Sequence, residues 1–255
     1  MLCLVFLCIF GFSAYKIIST LNGYKEAEKS YSEMSQQFVT TNTSTPKPKP
    51  SAAPGEEQDD DVEHEVSPIS VDFEKLQAQN PEAVGWIYGP NSVIDYPIAH
   101  GTDNVFYLDH LINGDYNANG CIFVDCNNAG DFSDKNTLIY GHNMNDGSMF
   151  ASLRNYRDAE YYKGHEKLYL STPEKDYRID LVAGLVTPSN SYVYARNFEV
   201  DEQFLAYIES AKAESTFKSD VEVDIDDQIV VLSTCTYEFT DARYVVIGKL
   251  VEIQK

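Results

Sequence analysis

From about Ser67 onward the chain breaks into short apolar runs separated by clusters of Gly, Asn, Asp and Pro, and that punctuation favours a mainly β fold. The runs are 84–88, 93–98, 121–125, 137–140, 167–171, 177–185, 228–233 and 243–253. Two helical patterns interrupt them, 148–156 and 201–212, the second with Phe204, Leu205 and Ile208 on one face. A third helix, 71–79, is expected to be N-capped by Ser70 and broken by Pro81. Strands this closely spaced argue for a β-barrel or sandwich with peripheral helices. A unit of about 190 residues is a normal size for one domain, and no internal repeat is visible.

Ahead of this unit the composition changes three times. Residues 1–15, MLCLVFLCIFGFSAY, carry no charged side chain. Lys16 can snorkel its amine, so that the apolar helix extends to about Leu21 and reaches the roughly 20 residues a membrane span needs. A cleaved signal peptide is the rival reading, but an A-x-A site and a basic leading region are both missing. Residues 1–21 are therefore expected to form an uncleaved, single-pass membrane anchor, with the folded unit outside the cell. No basic residue precedes the run, so either the positive-inside cue is weak or the natural start lies a few residues upstream. Residues 22–37 read as a polar helix with no continuous apolar face, and 40–54 as an extended Thr/Pro/Lys spacer. Residues 55–65 hold seven acidic groups and no basic one. The Asp59-Asp60-Asp61 run lacks the alternating ligands and central Gly of an EF-hand calcium loop, so a solvated linker is expected. The chain thus reads as anchor (1–21), stalk (22–66) and folded domain (67–255).

With 40 acidic against 19 basic residues the formal charge is −21, which repels nucleic acid and anionic lipid surfaces alike. Five cysteines, none in a C-x-x-C pair, support neither a disulfide scaffold nor a structural zinc site. Cys121 sits amid the apolar run GCIFV and reads as an inert core thiol, with Cys126 in a weaker context. Cys235 differs: the run IVVLST ends on it, which places its thiol at a strand terminus facing a cleft. His142 has the same setting, since TLIY ends in Gly141 and the imidazole follows. Taken alone, each could be inert, one a buried thiol and the other a capping residue. Arg243 opens the last strand eight residues after Cys235, a separation that suits two antiparallel strands joined by a short loop. The alternative for Arg243 is a surface pairing with Asp241 or Glu238. A thiolate nucleophile, a proton donor for a leaving amine and a fixed positive charge for an oxyanion are the parts of an acyl-transfer site.

The segments TLIYGHNM and LSTCTYEFTDARYVV resemble the active-site segments of sortases, the membrane-anchored cysteine transpeptidases of Gram-positive bacteria. The stretch AVGWIYGPNSVIDYPIAHGTDNVFYL and the helix 201–212 are similar to class B in particular, and the likeness covers about 73–251. The resemblance implies a closed eight-stranded β-barrel. It places the catalytic histidine on His142, the nucleophile on Cys235 and the arginine on Arg243. It places substrate contacts on Asn104, Leu108 and Ser233, and the sorting-signal loop on 187–196, with Tyr194 a less secure carry-over. It implies no cofactor and no metal. The implied substrates are surface proteins with an Asn-Pro-x-Thr or Leu-Pro-x-Thr type motif, cleaved after Thr, and the implied acceptor is an amine of a cell-wall precursor or a pilin. Backbone N–H groups near Cys235 are expected to assist Arg243 at the oxyanion. Some class B members carry an acidic residue directly after the cysteine, where this chain has Thr236. Two further readings stand beside this one: a surface cysteine protease that hydrolyses the same intermediate, and a non-catalytic anchored adhesion module. Three intact chemical residues argue against the last.

Overall fold

The computed structural model describes residues 2–42 and 65–255, so most of the Thr/Pro/Lys spacer and of the acidic run lies outside the described residues. Eight strands close into a barrel: β3 (Ala83–Tyr88), β4 (Asp95–Ala99), β5 (Ile122–Val124), β6 (Asn136–Tyr140), β7 (Lys167–Ser171), β8 (Asp176–Pro188), β9 (Ile229–Cys235) and β10 (Ala242–Ile253). Their order round the barrel is β10-β8-β7-β3-β4-β5-β6-β9. Each corresponds to one of the eight apolar runs. The second run starts later than expected, at Asp95, because a turn closed by Gly89 N–H to Ile94 O (2.8 Å) absorbs the residues before it.

Most neighbours are antiparallel, but β4 with β5 and β6 with β9 are parallel. The wall formed by β6, β8, β9 and β10 is buried on both faces. Val230, Leu232, Tyr244 and Val246 point into the barrel core, while Val231, Val245 and Ile247 join an outer cluster beneath α4 (Asp201–Glu214). Two-sided burial is why IVVL and YVVI read as continuous apolar runs instead of alternating ones. Helix α4 supplies Phe204, Tyr207, Ile208 and Ala211 to that cluster, close to the expected face.

Three local expectations need correction. Residues 148–156 are expected to form a helix, but a 3-10 run over Ala151–Arg157 is found, followed by the short helix α3 (Ala159–Lys163). The cap of α2 (Phe73–Gln79) is Asp72, whose carboxylate accepts from Lys75 N–H at 3.1 Å, whereas Ser70 is in β2 (Ile69–Val71), paired with Thr40 of β1 (Val39–Thr41). The third concerns α1, one continuous helix over Leu2–Phe38. Its first part exposes Val5, Phe6, Leu7, Ile9, Phe10 and Phe12 by more than half each, the pattern of a helix whose surroundings are meant to be apolar. Its second part does have an apolar face: Ala27, Tyr31, Met34 and Phe38 are buried at helical spacing against the barrel. Tyr31 packs edge-on to Tyr96 with ring centroids 5.3 Å apart and donates to Gly120 O at 2.5 Å. The stripe escapes a simple hydropathy reading because its largest member is a tyrosine among Ser, Glu and Gln.

Candidate active site

Backbone register assembles the three chemistry-bearing residues. Cys235 ends β9 and Arg243 is the second residue of β10, and the antiparallel ladder pairs the two directly. Strand β6 runs parallel to β9, with Tyr140 opposite Ser233, and the ladder continues as Gly141 N–H to Ser233 O at 3.1 Å. Because parallel strands leave the sheet at the same rim, His142 and Cys235, each two residues beyond that last pair, emerge side by side. Asn143 ties the two segments, its Nδ2 donating to Cys235 O at 2.8 Å. Gly141 has no room for a side chain: a Cβ would come within 2.5 Å of Ile122 Cδ1 and 2.7 Å of Phe150.

The His142 ring is oriented by Leu108, whose carbonyl accepts from Nε2 at 2.6 Å. A carbonyl can only accept, so Nε2 carries a proton. The Leu108 backbone is in turn packed on Gly120, which has a φ of 59° and where any Cβ would collide with the Tyr107 and Leu108 carbonyls. Arg243 donates from Nη1 to Ala242 O at 3.0 Å and has no carboxylate partner among the described residues. The pairing with Asp241 or Glu238 that the sequence left open is absent there. Glu238 pairs with Arg157 instead, and Asp241 contributes its carbonyl to Ser189 N–H at 3.1 Å. Thr236 N–H bonds Ala242 O at 3.0 Å, so this backbone donor next to Cys235 is already engaged.

All seven side chains named from the sequence (Asn104, Leu108, His142, Tyr194, Ser233, Cys235 and Arg243) line one cleft of about 380 Å³. Tyr194 and Ser233 share a hydroxyl–hydroxyl hydrogen bond of 2.9 Å. Burial pushes the Tyr194 phenol above its ordinary range, partly offset by Ser233 and by the nearby Arg243. A larger surface hollow of about 850 Å³, beside Tyr162 and Phe217, is lined by no thiol or imidazole.

Sequence reasoning missed the buried carboxylate that ties several cleft residues together. Asp125, 4% exposed, accepts from Tyr140 Oη (2.9 Å), Asn104 Nδ2 (3.0 Å), Asn127 N (2.9 Å) and Nδ2 (3.0 Å), and pairs with Arg196 Nη1 at 3.4 Å. Burial pushes its carboxyl up, but the bonds from Asn127, Tyr140 and Asn104 outweigh that and hold it below the ordinary carboxylate range. Tyr140 and Arg196 both face the cleft. Signals for them existed: Tyr140 shares the strand face of His142, and Asp125 is a lone acid ending the apolar run CIFV.

A buried carboxylate wall, a strand-end thiol, a ring-oriented imidazole and an unpaired guanidinium can together carry out acyl transfer through a thioester. Comparison with known proteins agrees. The sortase domain family matches residues 87–251. Sortase B of Listeria monocytogenes is 38% identical over 178 residues, 69% of this chain and 72% of that protein. A crystal structure of a Bacillus anthracis protein similar to sortase B superposes with a TM-score of 0.73 at 33% identity, covering 91% of this chain and 98% of that one. A Staphylococcus aureus sortase B–substrate complex superposes with a TM-score of 0.68 at 29% identity, covering 71% and 85%.

Proposed function

The chain belongs to the sortase family, in class B, and from that premise we propose that it is a membrane-anchored transpeptidase acting on C-terminal sorting motifs of the Asn-Pro-x-Thr or Leu-Pro-x-Thr type. The observation that supports this most is the ladder pairing of Cys235 with Arg243 at the rim where β6 delivers His142. The Cys235 thiolate attacks the Thr carbonyl carbon, forming a C–S bond and a tetrahedral oxyanion that the Arg243 guanidinium stabilises. Collapse breaks the C–N bond, and His142 protonates the departing amine. Its Nε2 proton is held by Leu108 O, so the proton it gives up is the one that Nδ1 takes from the Cys235 thiol when the thiolate forms. A second amine, from a cell-wall precursor or a pilin, gives its proton back to His142 and attacks the thioester. The C–S bond breaks, an amide forms and the thiolate is restored. Asn104, Leu108, Tyr194 and Ser233 contact the motif along the cleft. The apolar first part of α1 anchors the enzyme by a single pass with the barrel outside the cell, and membrane-held substrates then meet it at raised effective concentration.

Hydrolysis of the same thioester, as in a surface protease, differs only in the acceptor. Both are separated by incubating the full-length protein in detergent with fluorogenic sorting peptides, with and without an oligoglycine amine. Mass spectrometry should find a thioacyl adduct on Cys235, and the amine should divert product from acid to amide. No adduct with either motif would sink the proposal, and adduct without amide would leave a protease.

A further inference from the structure

Arg157 closes the 3-10 run that follows the His142 segment, yet its contacts lie across the site in the loop between Cys235 and Arg243. Its Nη2 donates to Thr236 Oγ1 at 2.6 Å and forms an ion pair with Glu238, and its guanidinium lies 5.1 Å above the ring of the buried Tyr244. The Thr236 hydroxyl completes the triangle by donating to Glu238 Oε2 at 2.6 Å. Thr236 is buried, and its N–H reaches Ala242 O, the same carbonyl that holds Arg243 Nη1; both distances are 3.0 Å.

We infer that Arg157 is a positioning residue for the transpeptidation reaction, aiming the Arg243 guanidinium through Thr236 and the Ala242 carbonyl. The inference rests on the function proposed above for Arg243. The contacts form one continuous path: Arg157 fixes the Thr236 side chain, Thr236 fixes the Ala242 carbonyl, and that carbonyl is the hydrogen-bond partner the structure gives the Arg243 side chain. Tyr244, the next residue of β10, is clamped from the other direction by Thr216 at 2.7 Å, so Arg157 stacks on a fixed platform. Tyr237, Glu238, Phe239, Thr240 and Asp241 are all exposed. Beyond Arg157, the exposed part of the loop is tied to the rest of the barrel, among the described residues, by the bond from Ser189 N–H to Asp241 O. A planar fork serves this geometry, since one guanidinium meets a hydroxyl, a carboxylate and a ring face together.

The ion pair is more than a third exposed on both sides, so it contributes little to global stability. That separates a positioning role from a structural one. The test uses the full-length protein in detergent, with single-turnover acylation of Cys235 by a sorting peptide, and Arg157→Ala, Arg157→Lys and Glu238→Gln as variants. Arg157→Ala should slow acylation roughly tenfold to a hundredfold, the scale of a slightly misaimed catalytic group. The KM should stay within about twofold, since ground-state binding is untouched. Glu238→Gln should show a smaller loss in the same direction, and Arg157→Lys should lie between Arg157→Ala and wild type. Amide hydrogen exchange at Thr236 should quicken in Arg157→Ala while the melting temperature moves by no more than about 4 °C. Wild-type-like acylation in both Arg157→Ala and Glu238→Gln overturns the inference. So does unchanged exchange at Thr236, or a loss carried wholly by KM. Failure of the wild type to acylate with either motif overturns the proposed function instead, a distinct result read without any variant.

Discussion

The two walls of the cleft are held by different forces. On one side Cys235 and Arg243 occupy facing positions of a strand ladder, and His142 leaves the neighbouring strand at the same rim. That sheet is packed on both faces, so its backbone hydrogen bonds and two apolar clusters set where the chemistry sits. On the other side Asn104 and Arg196 come from two loops, and the buried carboxylate of Asp125 bonds both and ties them to Tyr140, the last residue of β6. A wall built by register tolerates loss of any one side chain without moving. A wall built on one buried acceptor does not, because removing the acceptor leaves several donors without a partner.

That contrast can be broken most severely at the nucleophile. Cys235→Ala should abolish thioacyl formation by intact-mass analysis while the thermal midpoint stays near wild type, because the residue ends a strand and is only partly buried. A large loss of stability would show that the rigid wall depends on its own chemistry. Next in size, Arg243→Lys and Arg243→Ala should each lower single-turnover acylation by about two or more orders of magnitude, the range for removing one oxyanion donor. A flexible ammonium cannot reproduce the planar fork, and KM should change less than turnover. Near-normal acylation by Arg243→Lys would leave a Cys–His pair as the working site.

The softer wall should respond in the opposite parameter. Asp125→Asn should raise KM by about tenfold, the scale of one lost charge-assisted hydrogen bond, with a smaller change in turnover. The same variant reports on pH. Asp125 has its carboxyl held below its unfolded value of about 3.9, so its stabilisation is present above that pH and disappears as pH falls through the lower folded value. Urea unfolding between pH 5 and pH 2 should therefore show a shallower acid loss in Asp125→Asn than in wild type. An unchanged KM would mean that Asn104 and Arg196 hold their places unaided. The smallest effect belongs to the buried thiol just ahead of β5. Burial pushes Cys121 up to about 12, so iodoacetamide at neutral pH should spare it and label Cys235. Cys121→Ala should cost about 1 kcal/mol in urea unfolding, for one buried atom lost, and leave acylation intact.

What the sequence alone makes legible is what local chain chemistry dictates. Eight apolar runs with Gly, Asn and Asp between them specify strands and turns. The placing of His142 and Cys235 at the ends of two such runs, and of Arg243 at the start of a third, is readable because a strand end is a local event. The seven cleft residues were reached by adding a family likeness to that pattern, and they meet in one place because β6 and β9 are parallel neighbours. That adjacency is itself illegible, since nothing in either run encodes its partner. The same reason hid the role of Asp125, whose partners Tyr140, Asn104 and Arg196 lie 15, 21 and 71 residues away, and the Arg157–Thr236 bond, which spans 79. It also hid the buried stripe of α1, where Tyr31 counts as polar until a barrel supplies the Gly120 carbonyl for its hydroxyl and Tyr96 for its ring. Patterns of apolar and polar residues carry the free energy of burial and so announce strands and faces. Which polar group answers which is decided by the closed barrel, because directional hydrogen bonds gain strength only where distant segments exclude water together.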